Sequence, residues 1–317
     1  MTRTPVSVAL MAFNEEGNIG HCLDSLVRQQ TERVAIAEVV VVSSGSTDRT
    51  NDVVRGFACR SSLVRLIAET KREGKASAIN SFLREASSDL LVLESADTVP
   101  ALNAVEELCL PFEDSRVGMT GARPIPSNGT DTFAGFFVNL VWALHHEVSL
   151  ELPKTGEMIA FRRIIPFLPR DVSADEDWIR VQIERAGYRI IYVPSGICYN
   201  RGPDSLSEIA RARIRSIAGE LALERRYAWR SPTMHTSRIL RLLLRHVRSN
   251  PRSWAWVLGS VAFEACIRLR ASHQLKTRGE DYMWAPALSS KRTVASAMPP
   301  SLTDGELGAL ISGQAKE

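Results

Sequence analysis

The sequence is poor in the features that most readily assign a protein to a class. Its five cysteines, Cys22, Cys59, Cys109, Cys198 and Cys266, are odd in number and widely separated, with no pair at zinc-like spacing. A disulfide-framed secreted module and a thiolate metal site are thereby excluded, and a reduced, cytoplasmic protein is expected. No apolar run reaches the ~20 residues of a membrane span; the longest, 254–267, is shorter and contains Glu264. The opening MTRTPVSVAL enters a strand-like run without the apolar core and cleavage site of a signal peptide. Glycine does not build a dinucleotide-binding loop, since only Gly17 and Gly20 stand where GxGxxG would be required. An excess of one charge is missing too: the net charge is +3, which argues against a nucleic-acid partner, although arginines crowd into 201–270. That local cationic surface suits solvated helix faces, phosphate groups or an anionic membrane.

What is present is an ordinary globular composition, 44% hydrophobic and 24% charged, in a 317-residue chain with room for one large domain or two smaller ones. Up to about residue 100, short β-branched runs alternate with amphipathic stretches, the pattern of βαβ units around a mostly parallel sheet. The spacing predicts strands over 6–11, 38–42, 63–68 and 90–93 and helices over 19–29, 48–59 and 76–86, the second helix capped by Ser46 or Thr47. A mixed region follows, with a helix over 103–110, a strand over 117–123, an apolar helix over 133–146 and a strand in GEMIAFRR. DEDWIRVQIERAGYRIIYVP then reads as a helix, a stop at Gly187 and a strand ending at Pro194. Beyond 203 the chain turns helical and basic: a Ser205/Glu208 capping box opens a helix to about 226, and further helices cover 236–249 and 251–271. The expected organisation is a catalytic α/β domain over 1–203, a helical extension over 204–278 and a tail or packing arm over 279–317.

Chemistry-bearing residues fall where strand-like runs give way to polar ones, the edge at which open α/β sheets hold ligands. In MAFNEE, Phe13 offers a ring for a nucleobase and Glu15 an acceptor for base or ribose hydroxyls, although acids favouring a helix start explain the block equally well. In SSGSTD the small residues permit a tight turn, and Asp48 either braces it or meets a ribose hydroxyl. GKASAIN sets Lys75 at a helix start, where a cation and free N–H groups can meet a diphosphate. LLVLESADTVP delivers Asp97 into a loop, either to hold Mg²⁺ or Mn²⁺ with diphosphate oxygens or only to turn the chain before Pro100. SADEDW lines up Asp175, Glu176 and Asp177 at a helix start, where they suit the dipole and where one of them, near Trp178, can deprotonate an acceptor hydroxyl. His145 and His146 adjoin on one helix, so their rings face different ways and do not share a metal. Arg211, Arg213 and Arg215 offer a grip on phosphate or simply face solvent.

Taken in order, these blocks resemble the inverting family 2 glycosyltransferases of GT-A fold over about residues 6–219. The resemblance implies a Rossmann-like domain that takes a nucleoside-diphosphate sugar and passes one sugar to a hydroxyl acceptor with inversion. By that resemblance Phe13, Asn14, Glu15, Ser44, Asp48, Lys75, Asn80 and Ala96 line the nucleotide-sugar site. Asp97 holds Mg²⁺ or Mn²⁺, Asp177 is the base with Glu176 beside it, and Trp178 and Arg213 meet the acceptor or its phosphate. Three departures stand out. Ser43 and Ser44 occupy the place of an aspartate that reads uracil in many relatives, which leaves the donor base open. Ser95, Ala96 and Asp97 supply one carboxylate where relatives often have two. The QxxRW signature of processive relatives is replaced over 212–219, with Ala212 for Gln and Ser216 for Trp, so a single transfer is expected rather than a long polymer.

The acceptor is read from the basic helices and WAWVLGSVAFEACIRLR, which suggest a lipid-linked molecule on the inner face of a membrane, with Trp254, Trp256 and Phe263 inserting shallowly. Helices packed on the core or across a homodimer are the competing expectation. The alternative function is a catalytically silent nucleotide-sugar-binding scaffold. A nucleotidyltransferase is disfavoured because MAFNEEGNIG is acidic where a triphosphate loop is basic.

Overall fold

The structure, a computed structural model, describes residues 3–277, so the expected tail over 279–317 lies outside the described residues. One eight-stranded sheet is built from β1 (Thr4–Ala12), β2 (Val34–Ser44), β3 (Val64–Glu69), β4 (Leu90–Ser95), β5 (Thr98–Pro100), β6 (Val117–Pro126), β7 (Ile159–Arg162) and β8 (Arg189–Asn200). The spatial order is β3-β2-β1-β4-β7-β6-β8-β5. The first four members are parallel, as is β6 with β8, whereas β7 runs antiparallel to both β4 and β6, and β5 runs antiparallel to β8. The result is a mixed α/β sheet flanked by helices. The chain order reverses on the two sides of β1, a switch point of the kind at whose strand carboxyl ends open α/β sheets hold ligands.

The alternation of side chains along β1 accounts for the two layers over the sheet. Val6, Val8 and Leu10 pack with Cys22, Leu23 and Leu26 of α1 (Ile19–Val27) and with Val54 of α2 (Thr50–Ala58). Ala9 and Met11 point the other way, into a cluster with Ile79 and Phe82 of α3 (Lys75–Glu85) and Ile179 and Ile183 of α6 (Asp175–Arg185). The valine run at 39–42 is fully buried, as befits a strand covered on both faces. The short α4 (Ala104–Cys109) lies on the α1 side. A third cluster joins Phe137 and Val138 of α5 (Phe133–Glu151), Ile209 and Ile217 of α7 (Leu206–Tyr227) and Ile267 of α9 (Trp254–Thr277). α8 (Thr236–Ser249) packs Leu243 against Leu140 of α5.

Several local expectations are corrected. Neither Ser46 nor Thr47 caps α2; Asp48 Oδ1 accepts from the Thr50 amide at 3.0 Å, because Ser46 Oγ is already engaged by Asn14 N and Ser43 Oγ. β8 does not stop at Pro194. The ladder with β6 jumps from Gly121↔Tyr192 to Arg123↔Ile197, so the proline rides in a bulge and the strand resumes to Asn200. Residues 251–253 form a 3-10 turn ahead of α9, which runs on to Thr277. Of the three aromatics expected at a membrane, Trp256 and Phe263 instead pack edge-on against Phe136 and Phe137 of α5, with centroids 5.2 and 5.1 Å apart, while Trp254 stays exposed. Ser205 does cap α7, accepting from the Glu208 amide.

Candidate active site

The loops after β1 and β2 are sewn together by the polar residues of their motifs. Asn14 sits at φ +52°, a left-handed conformation that asparagine tolerates. Its Oδ1 accepts from Thr47 N at 2.8 Å and its own amide donates to Ser46 Oγ at 3.0 Å. The Glu15 amide donates to Thr50 Oγ1 at 2.8 Å, and the Glu16 amide to Asp48 Oδ2 at 3.1 Å. Glu15 is buried and accepts from Asn18 Nδ2. Ser44 Oγ donates to Glu69 Oε2 at 2.6 Å, and Gly45, at φ +67°, lets the chain pass so close that a Cβ would lie 2.5 Å from Arg72 N. The Arg72 guanidinium lies 4.0 Å from the centre of the Phe13 ring. The first two motif blocks thus form one rigid rim, in which Asn14, Ser44 and Asp48 brace the loops.

Lys75 opens α3 behind Gly74, whose φ of +88° turns the chain. Its Nζ lies 2.9 Å from Asp175 Oδ2 and also bonds Glu176 Oε1, so two motifs a hundred residues apart meet across one ammonium group. Burial opposes the lysine's charge, but the two carboxylates outweigh it and raise its pKa. Burial also works on the acids: it pushes Asp175 up to about 7, with Glu176 adding repulsion, while Lys75 overrides burial at Glu176 and holds it down at about 2. Asn80, one turn further along α3, pins a loop instead: its Nδ2 donates to Leu168 O at 2.8 Å and its Oδ1 accepts from Leu168 N at 2.6 Å.

Asp97 follows β4, and its loop is tied to β1 by the Ala96 amide donating to Met11 O at 3.1 Å. Thr98 Oγ1 bonds Ser95 O at 2.8 Å and the carboxyl of Glu94, which lies fully buried beneath the loop with its pKa raised, chiefly by burial. β7 pairs with β4 as far as Leu93↔Ile159, and Glu157 lies two residues before that strand. There Glu157 accepts from Asn200 Nδ2 at 3.4 Å, and its pKa rises to about 7 through burial and then the charge of Asp97.

Asp177 turns away from Lys75, as successive helical positions must. Its Oδ2 lies 2.5 Å from Lys154 Nζ, which is shared with Glu220 of α7 at 3.2 Å, and all three side chains are about nine-tenths buried. Asp177 Oδ1 is buried and makes no hydrogen bond. Burial raises the Asp177 pKa to about 6, with Lys154 opposing. Trp178 packs in the core and donates to Tyr227 Oη at 3.1 Å, and Arg213 pairs with Glu264 at 2.7 Å, fastening α7 to α9. His145 is a buried neutral residue, held near a pKa of about 3 by burial, and His146 Nδ1 lies 2.8 Å from Tyr192 Oη.

The structure therefore brings Lys75, Asp175 and Glu176 together, sets Glu157 within electrostatic reach of Lys75, Glu176 and Asp97, and leaves Asp177 one helical step behind. Lys154, Glu157 and Glu220 escape a reading of the sequence, because each is a single charged residue in an ordinary setting. A hint lies in Glu157 itself, an acid two residues before the apolar run of β7.

Residues 7–148 match the family model for glycosyl transferase family 2. The segment 7–148 is thus a family 2 glycosyltransferase domain. The chain is 26% identical over 231 residues to the probable glycosyltransferase YdaM of Bacillus subtilis, covering 68% of this chain and 54% of YdaM, so the chain spans about half the length of the curated relatives it matches. The mannosyltransferase PcManGT from Pyrobaculum calidifontis, solved with GDP-Man and Mn²⁺, superposes with a TM-score of 0.58 at 26% identity, covering 100% of this chain and 89% of that one. Glucosyl-3-phosphoglycerate synthase from Mycobacterium tuberculosis, solved with Mn²⁺ and UDP, has the same fold at a TM-score of 0.51 and 22% identity, over 69% of this chain and 79% of that one. The expected GT-A fold is thus the fold of the glycosyltransferase domain, with β7 as an antiparallel strand in the middle of the sheet.

Proposed function

We propose that this glycosyltransferase moves one sugar from a nucleoside-diphosphate donor to a hydroxyl acceptor, with inversion at the anomeric carbon. The observation that carries the reading is the meeting of Lys75, Asp175 and Glu176 beside the Asp97 loop, because it gathers separate sequence blocks at the switch point of the sheet. The rim made by the β1 and β2 loops takes the nucleotide, with Phe13 and Glu15 toward the base and ribose. Lys75 exchanges part of its ion pairing for diphosphate oxygens.

The residues suit a divalent cation. Among the described residues no three His, Cys, Asp or Glu side chains stand together to hold a metal by themselves. Asp97, with the carboxylate of Glu157 within its electrostatic reach, offers hard oxygen donors, and diphosphate oxygens would complete the shell. A bound Mg²⁺ or Mn²⁺ would neutralise charge on the leaving diphosphate, an effect of several kcal/mol; PcManGT was solved with Mn²⁺ beside its GDP-Man.

Asp177 takes the acceptor proton through Oδ1, the oxygen that makes no hydrogen bond, while Lys154 and Glu220 fix the carboxyl through Oδ2. A base needs a pKa near the working pH, and burial brings Asp177 to about 6, whereas Glu176 at about 2 is too weak. The acceptor oxygen then attacks the anomeric carbon as the nucleoside diphosphate departs on the opposite side. Thermal unfolding with UDP-, GDP- and dTDP-sugars, with and without Mn²⁺, tests the reading. A metal-dependent rise in Tm with one donor base, absent in Asp97→Asn, is expected; no rise with any donor would overturn the reading, and a rise with no sugar transferred would leave the scaffold alternative.

A further inference from the structure

Among the described residues, large apolar side chains left in water gather on two helices. Of the eleven that are exposed, Leu240 and Leu244 lie on α8 and Trp254, Leu258, Val261 and Leu269 on α9. The α9 residues recur at helical spacing and, with exposed Ala265 between them, form a stripe free of charge from 254 to 269, about 22 Å long at 1.5 Å per residue. The opposite face of the same helix is packed, through Val257 and Ile267, onto α5 and α7. α9 is therefore apolar on both sides, which a helix at the edge of a water-soluble fold has no reason to be.

Charge shows what covers it. Residues 236–277 hold eight lysines and arginines against one acid, Glu264, which pairs with Arg213 and Arg268. Arg238 and Arg245 pair with Glu151 and Glu147 of α5. Arg241 and Arg248 share the outward arc of α8 with Leu240 and Leu244, and Arg252 and Lys276 stand beyond the two ends of the α9 stripe. A second copy laid on this face would bring the same cations together, whereas phospholipid of negative charge would satisfy cations and apolar stripe at once. Among the described residues no helix is long and apolar enough to cross a bilayer, so the contact is along the surface.

We infer that the α8–α9 face docks flat on an anionic lipid bilayer, with Trp254, Leu258, Val261 and Leu269 entering the acyl boundary and Arg241 and Arg248 meeting headgroup phosphates. The inference is independent of sugar transfer: a chain that bound no donor would still dock. Flotation of the full chain with vesicles of equal phosphatidylglycerol and phosphatidylcholine, and with phosphatidylcholine alone, tests it. Binding to the first and at least tenfold weaker binding to the second are expected. Leu258→Gln with Leu269→Gln should lower partitioning at least tenfold, and Arg241→Gln with Arg248→Gln about fivefold for each arginine. All four substitutions are on the surface, so Tm should match wild type. Failure of the full chain to float with anionic vesicles overturns the proposal, as does a wild-type dimer in sedimentation that the leucine variant converts to a non-floating monomer.

Discussion

One turn of α6 faces two lysines, and their surroundings differ. Lys75 keeps 29% of its side chain exposed beside Asp175 and Glu176, whereas Lys154 keeps 9% between Asp177 and Glu220. An ammonium group at the rim can trade its carboxylates for diphosphate at little cost, because water and ligand reach the site. A buried one cannot, since every charge it abandons stays out of water. The first pair is thus suited to exchange and the second to holding a carboxyl in place.

The comparison breaks most visibly at Lys154. Lys154→Met leaves Asp177 and Glu220 buried without their counter-charge and should lower the unfolding free energy by about 3–5 kcal/mol, read from urea denaturation; Lys75→Met should cost only about 1 kcal/mol. Equal losses would mean that the two lysines do the same work. Kinetics separate them next. Asp177→Asn should reduce kcat about 100-fold while donor KM stays within a few-fold, as for loss of a general base. Lys75→Ala should instead raise the Kd for the nucleoside diphosphate about tenfold, measured by calorimetry with Mn²⁺ present.

The smallest effect concerns pH and has opposite signs for stability and turnover. Asp175, Asp177 and Glu157 have folded pKa values near 6 to 7, above those of an unfolded chain near 4. Between those limits the folded state binds more protons than the unfolded state, so these groups make the protein lose stability as pH rises from about 4 to 7. Glu38 and Glu176, held at about 2, act in the other direction and lose their contribution only as pH falls below about 4. Tm should therefore be higher at pH 5 than at pH 7.5, while kcat rises through about pH 6 as Asp177 ionises. A Tm that climbs steadily from about pH 5 to 7.5 would refute the buried-acid assignment.

Much of the architecture was legible because it is local. Alternation in VALMA and the valine run at 39–42 encode strands buried on two faces, and the Ser205/Glu208 pair marks a helix start. The order of the polar blocks pointed to the GT-A fold. Less legible were features whose cause is distant. Ser46 looked like a cap but is occupied by Asn14, and Asn80 looked like a ligand residue but fastens Leu168. Pro194 looked like a strand end, yet a bulge absorbs it.

The sequence by itself determined which segments are strands and helices, where the polar blocks interrupt them and how strongly basic 236–277 would be, since periodicity, capping and charge count depend only on neighbours along the chain. Tertiary structure alone decided that Lys75 meets Asp175 and Glu176, that Glu157 comes within the electrostatic reach of Asp97, that Lys154 and Glu220 enclose Asp177 and that one side of α9 remains in water. Those are pairings between residues far apart in the chain, chosen by sheet register and by burial, where removing a charge from water costs more than any local preference can offset.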